Sequence, residues 1–277
     1  SRQLIYPDHP LGWTITGDEK RVRSFTKAMC QEHHARHYNA ANSVLVFSGN
    51  VKPDEALELA NRHFSAMPAG TRVTSAPPVH KQSKPRFDLV DNVSSQTELR
   101  VCFRAVPDKL KHRSTMDMML RLLDDGMSTR LYHRVVDDKG LCYDVSASYD
   151  GYDDDGILDF AAGVQHARAA KVATEITGLV KDLAASGPSV VELEKARRRH
   201  RWDMRGMMDS PEELAGFYAA GILFDRSETI EERLANNAAV SAQDIRDLAG
   251  LIGTPDRLNV TAVGPIEEFD DKRLESV

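Results

Sequence analysis

Hydrophobic spacing divides the chain into stretches of helical and strand-like period. Between residues 24 and 38, Phe25, Met29, His33 and His37 recur on one helical face, and Ser43-Val44-Leu45-Val46-Phe47-Ser48-Gly49 follows as a buried-strand pattern. Pro53 at a first-turn position, with Asp54 and Glu55 beside it, starts a second helix that carries Ala56, Leu59, Ala60 and Phe64. From Pro68 to Pro85 the period disappears into Ser, Thr, Pro and Val, the composition of an exposed connector. Beyond it Leu99, Val101, Phe103 and Ala105 alternate with Glu98, Arg100, Cys102 and Arg104, which predicts a strand with one buried face.

Met116, Met119, Leu120 and Leu123 predict a helix packed on that face. Residues 141–149 and 157–164 predict two strands joined by Asp150-Gly151-Tyr152-Asp153-Asp154-Asp155-Gly156, a segment with hairpin-turn chemistry. Val172, Ile176, Leu179, Val180 and Leu183 form a core-facing stripe, while Ser189-x-x-Glu192 and Ser210-Pro211-x-Glu213 mark two further helix starts. Helices continue to about Leu251, and Leu258 to Val263 is a last strand. A helix, a polar turn and an apolar strand ending in glycine occur at 24–49 and again at 241–264, as in two related α+β domains of which the first is truncated at its start.

Composition narrows the classes. Hydrophobic residues make up 41% and charged residues 28% of 277 positions, values of an ordinary globular chain. A net charge of −6 argues against a general nucleic-acid binder, which needs excess Lys and Arg to neutralise phosphates. Cys30, Cys102 and Cys142 are odd in number and lack CxxC spacing, so they suggest neither a disulfide framework nor a cysteine-built zinc site. No apolar run approaches the length of a membrane span, and Ser1-Arg2-Gln3-Leu4 has no signal-peptide core; a targeting segment further upstream stays open.

Several clusters have a chemical and a bland reading. His33 and His37 stand four apart, as two imidazoles sharing a metal do, but no Glu occupies the place a metallopeptidase needs, and packing or partly exposed histidines is the favoured reading. Asp150, Asp153, Asp154 and Asp155 lack the alternating ligands and terminal Glu of a calcium loop and read as a solvated hairpin tip. The run Lys195, Arg197, Arg198, Arg199, His200, Arg201 suits an anionic partner, whereas Glu194, four before Arg198, suits an ion-paired exposed helix. There is no G-x-S-x-G elbow, and Gly126 and Gly140 are not in a phosphate-loop pattern.

Asp8-His9-Pro10-Leu11-Gly12-Trp13-x-Ile15-x-Gly17 and His34-x-x-His37-Tyr38-Asn39-Ala40-Ala41-Asn42, continuing through Ser43-Val44-Leu45-Val46-Phe47-Ser48-Gly49-Asn50-Val51, resemble the pitrilysin/insulinase family of zinc metallopeptidases, particularly its mitochondrial-processing-peptidase-like branch. Gly126-Met127-Ser128-Thr129-Arg130-Leu131-Tyr132, then Lys139-Gly140-Leu141-x-Tyr143-x-Val145, resembles the signature of the family's second domain. The resemblance implies an α+β fold of two homologous domains, each an antiparallel or mixed sheet backed by helices, forming part of a chamber. It assigns 1–67 to a remnant of the metal-bearing domain, 68–84 to a linker and 85–277 to the second, non-metal-binding domain.

In the family an H-x-x-E-H motif and a later Glu upstream of the His-Pro-Leu-Gly segment supply the zinc site. No metal ligand or catalytic residue is therefore expected in this chain, and zinc is expected in the full-length parent. The resemblance also implies a substrate-side Arg and, seven residues later, a Tyr. Tyr143 matches the Tyr and is the candidate substrate-binding residue, while Val136 stands at the Arg position. Expected partners are a peptide or unfolded protein substrate and a homologous partner subunit or second copy. The alternative is a non-catalytic scaffold subunit.

Overall fold

The computed structural model describes residues 1–265 and residue 267. Helix α1 (Arg2–Ile5) and a 3-10 turn at Pro10–Gly12 open the chain, followed by α2 (Glu19–Ser24), α3 (Lys27–His37) and α4 (Pro53–Phe64). After an irregular stretch come β1 (Arg86–Asp91), β2 (Thr97–Arg104), α5 (Leu110–Leu123) and the single turn α6 (Arg130–Tyr132), which widens into a π-helical turn over His133–Asp137. The hairpin β3 (Cys142–Gly151) and β4 (Gly156–Val164) leads to α7 (Ala169–Ser186), α8 (Val190–Met207), α9 (Pro211–Leu223), α10 (Ile230–Ala239), α11 (Ala242–Ile252) and β5 (Leu258–Gly264). The fold is α+β, as expected.

Two compact units result. Unit 1 comprises Ser1–Trp13, Pro77–Arg199 and the chain from Ala235 on; unit 2 comprises Thr14–Ala76 and His200–Leu234. Both are discontinuous in sequence, whereas the expected limits 1–67, 68–84 and 85–277 are continuous stretches, the last of which ends outside the described residues.

Unit 1 is built on one five-stranded sheet in the order β1-β5-β2-β4-β3, with β5 parallel to β1 and the other neighbours antiparallel. The alternation in β2 sets one face. Val101 lies opposite Val260 of β5 and Phe160 of β4, and Phe160 opposite Ala147 of β3, so one apolar row crosses the sheet. Helices α5, α7 and α11 cover this face. The predicted α7 stripe, Val172, Ile176, Leu179, Val180 and Leu183, is buried, and so are Ile245, Leu248, Ala249 and Ile252 of α11. The two forecast helix starts are real: Ser189 and Ser210 each accept a backbone N–H three residues on. A third, not forecast, is Ser241, which forms a reciprocal box with Asp244.

The second face of the sheet departs from the alternation. Cys102 and Arg104, expected on the solvent side, are buried. The opening segment covers Cys102, with Ile5 and Tyr6 packed on it and Ile157, while the Arg104 guanidinium donates to the Asp256 carbonyl at 2.7 Å. Arg86 donates to the Leu4 carbonyl at 2.9 Å and ties the same segment to β1. Gly12, within the His-Pro-Leu-Gly motif, serves this packing because a Cβ there would lie 2.1 Å from the Tyr6 carbonyl oxygen. Gly12→Ala is expected to cost roughly 1–3 kcal/mol through forced backbone shifts, read as a lowered urea midpoint at unchanged slope; an unchanged midpoint would show that the segment does not pack this way.

The hairpin tip also differs from the expected solvated turn. Asp155 is buried and bonded to His80 Nε2 at 2.5 Å, and Asp150 accepts from Arg2 at 2.8 Å. Burial pushes the Asp155 carboxyl up, but His80 and the Gly156 N–H outweigh it and hold it below the usual carboxylate range. The turn chemistry was correct and Asp153 stays exposed, while long-range neighbours take Asp155 out of the solvent.

In unit 2 the expected strand over 43–49 is not formed. Residues 43–48 form no helix or strand and have no ladder partner, and Leu45 and Phe47 are exposed. A strand needs a neighbour for its N–H and C=O groups, and no strand among the described residues pairs with this run. The internal similarity is nevertheless visible. The sequence α3, a 3-10 turn at Ala40–Asn42 and this run repeats the order α11, a 3-10 turn at Pro255–Arg257 and β5, of which only the second copy enters a sheet. The buried hydrophobics of unit 2 are few, Ala56, Met204 and Ile230, while Phe25, Leu57, Leu59, Phe64, Tyr218 and Ile222 stay exposed.

Candidate functional site

The second-domain signature folds into one continuous turn between α5 and β3. Gly126, with φ +91°, starts it, and the Thr129 hydroxyl donates to the Gly126 carbonyl at 2.6 Å. Arg130 then forms a two-pronged pair with Glu192 of α8, Nε at 2.7 Å and Nη2 at 2.9 Å. This pair, with help from Ser189, holds the Glu192 carboxyl down to about 2. The signature arginine is thus committed to the helical layer.

Because the carboxyl is depressed in the folded state, the pair stabilises above the unfolded carboxylate range near 4.5 and loses its contribution as pH falls from there toward 2. With side chains 21% and 34% exposed, Glu192→Gln is expected to cost about 1–2 kcal/mol at pH 7 after solvent screening. Denaturation series at pH 7 and pH 3 check the sign: the gap between wild type and variant must shrink at the lower pH.

The π-helical turn carries Val136, whose side chain is half-buried and packs against the main core. Gly140, at φ +53°, reverses the chain into β3, a backbone conformation that side chains disfavour. Its N–H donates to the Val136 carbonyl at 2.9 Å, and its own carbonyl accepts from Arg168 at 2.5 Å. Arg168 was not singled out in the sequence, since no local pattern links it to a turn so far upstream. Arg134 lies two residues before Val136. It faces α7, paired with Glu175 at 2.9 Å and Asp182 at 2.5 Å.

Tyr143 is 94% exposed. The ladder to β4 pairs Cys142 with Val164 and Asp144 with Gly163, so Tyr143 is the extra residue of a β-bulge. Its strand is the last in the sheet, with no neighbour beyond it among the described residues. A bulge re-aims a side chain, and here it leaves a phenol standing free beside an open strand edge. Further along that edge the Ala147 N–H donates to the Asp124 carboxylate at 2.7 Å. Burial raises the Asp124 carboxyl above its usual range, only partly offset by that N–H.

The donor chemistry does not fit a metal. No group of three or more His, Cys, Asp or Glu among the described residues could hold a metal ion. His33 and His37 are stacked on each other, ring centroids 4.2 Å apart, on the exposed helix α3. No hydrolytic step is assigned to these residues. None of the described helices is long and apolar enough to cross a membrane.

An uncharacterized zinc protease of Mycobacterium tuberculosis is 25% identical over 249 residues, covering 88% of this chain and 57% of that protein. The zinc protease PqqE of Helicobacter pylori is 25% identical over 219 residues, 77% of this chain and 49% of its own. The chain therefore spans only about half the length of these relatives. The crystal structure of a peptidase M16 inactive domain from Pseudomonas fluorescens superposes with a TM-score of 0.86 over 95% of this chain and 64% of its own, at 19% identity, a likeness of fold. The profile of the peptidase M16 inactive domain matches residues 24–199. That single span exceeds half the chain and holds the Gly126–Tyr132 signature, the π-turn and Tyr143 together, and the chain belongs to the peptidase M16 inactive-domain family.

Proposed function

We propose that this chain is the C-terminal part of a zinc-dependent endopeptidase of the processing-peptidase type, in which it forms chamber wall and a substrate-binding surface while zinc is held by residues of the parent outside this chain. The observation that carries the reading is Tyr143, a solvent-facing phenol on a bulge at an open strand edge. A peptide or unfolded segment adds to such an edge through main-chain hydrogen bonds, which give affinity with little dependence on sequence. The Tyr143 hydroxyl supplies a donor for a peptide carbonyl. Val136 offers none, so a homologous partner subunit or a second copy supplies the missing guanidinium. The uncovered apolar side chains of unit 2 favour such a partner.

The test is peptide cleavage by this chain joined to its H-x-x-E-H-bearing segment, with and without partner and chelator. Chelator-sensitive cleavage that needs both parts is expected. Cleavage insensitive to chelator, or none with the proper partner, would count against the proposal.

A second reading, a non-catalytic scaffold subunit, draws on the valine at 136. The residues encoded upstream of Ser1 discriminate: an H-x-x-E-H motif with a later Glu supports the peptidase, and its loss supports the scaffold.

A further inference from the structure

A cavity of about 580 Å³ opens in the helical layer of unit 1, between the C-terminal end of α5, the signature turn, α7 and the first half of α8. Six cations and four carboxylates line it, a cationic excess inside a chain whose net charge is −6. Two of the cations converge on one carboxylate. Asp125 accepts from Arg121 at 3.1 Å and from Arg199 at 2.9 Å, so one negative charge is shared by two guanidiniums and holds both in place.

Lys195 lies one turn before Arg199 on α8. Its ammonium donates to the Ser128 carbonyl at 2.5 Å and to the Ser128 hydroxyl oxygen, both neutral acceptors. An ammonium has three donors, and two are used here. Lys195 makes no ion pair among the described residues, and the Ser128 hydroxyl, accepting from it, keeps its own proton to give. The basic run noted in the sequence is thus divided. Arg197 turns to Glu194 and the Val240 carbonyl, whereas Lys195 and Arg199 line the cavity.

We propose that this cavity binds a compact oxyanion of the phosphate type, a free phosphate or the phosphoryl group of a small ester, with Lys195, Arg199 and the Ser128 hydroxyl as its contacts and Asp125 as the frame that orients the guanidiniums. Fixed guanidiniums and an ammonium suit tetrahedral oxyanions, and pre-positioning lowers the ordering cost of binding. The inference does not depend on the peptidase reading.

Calorimetric titration of the full chain with inorganic phosphate, and separately with phenyl phosphate, against chloride at matched ionic strength tests it. Saturable binding at millimolar phosphate is expected, weakened at least about tenfold by Lys195→Met, roughly 1.4 kcal/mol. Ser128→Ala, which disturbs no charge, should weaken it severalfold and serves if the lysine variant folds poorly. Arg198→Met, on the same helix but outside the cavity, should leave it within about twofold, as expected of a screened surface charge. Equal binding of both probes supports a phosphoryl group on a larger molecule, and binding of phosphate alone supports the free ion. No saturable binding of either, or equal weakening by Arg198→Met and Lys195→Met, would overturn the proposal.

Discussion

If the proposed peptidase function holds, Tyr143→Ala in the chain joined to its zinc-bearing segment is expected to lower kcat/KM roughly 10- to 100-fold, toward the loss seen when one preorganised donor to a reacting carbonyl is removed. Folding should be untouched. The side chain is 94% exposed, and surface changes of this kind usually stay within about 0.5 kcal/mol. Tyr143→Phe separates hydroxyl from ring: if the phenol donates to a peptide carbonyl, the Phe variant shows most of the Ala defect. Steady-state kinetics on a fixed peptide, with thermal melts of each variant, are the measurements. A kcat/KM within twofold of wild type for the Ala variant would remove Tyr143 from the substrate surface. Val136→Arg is not the converse experiment, because Val136 packs against the core and an arginine there must first displace that packing.

Phe160→Ala is expected to cost about 3–5 kcal/mol, the usual range for emptying a fully buried aromatic site. Phe160 is 0% exposed at the middle of β4, between Val101 and Ala147 on its neighbouring strands. Its ring stands edge-on to Phe103, with centroids 6.3 Å apart and planes at 81°. The large cavity left there has strands on both sides and cannot collapse without moving the sheet. Since domains of this kind are stable by only about 5–15 kcal/mol, the variant should sit near the edge of folding. Urea denaturation followed by circular dichroism measures the loss, and a change below about 1 kcal/mol would contradict the placement of this residue at the centre of the core.

The parts of the site that lie close together in sequence were legible in it. Gly126 through Tyr132 and Gly140 through Tyr143 could be matched as motifs because they form one local turn, and the hairpin after them was readable from its alternation and its Asp-Gly tip. Three features of the same region were not. The bulge that frees Tyr143 depends on the register with β4, which places Cys142 against Val164 and Asp144 against Gly163. The carboxylate on the edge of β3 comes from Asp124, and the guanidinium on the Gly140 carbonyl from Arg168. No local period reports such partners.

The sequence by itself determined most of the elements, from the α7 stripe and the helix starts at Ser189 and Ser210 to the buried face of β2, because helix and strand periods and caps are local properties. Only the tertiary structure decided which strands became neighbours. It inserted β5 between β1 and β2, covered Cys102 with the opening segment, and left 43–48 without a ladder despite an apolar pattern like that of β5. The physical reason is common to all three: a strand's backbone groups and its second face are satisfied by distant chain, so the same local pattern ends inside a sheet or outside one according to what packs beside it.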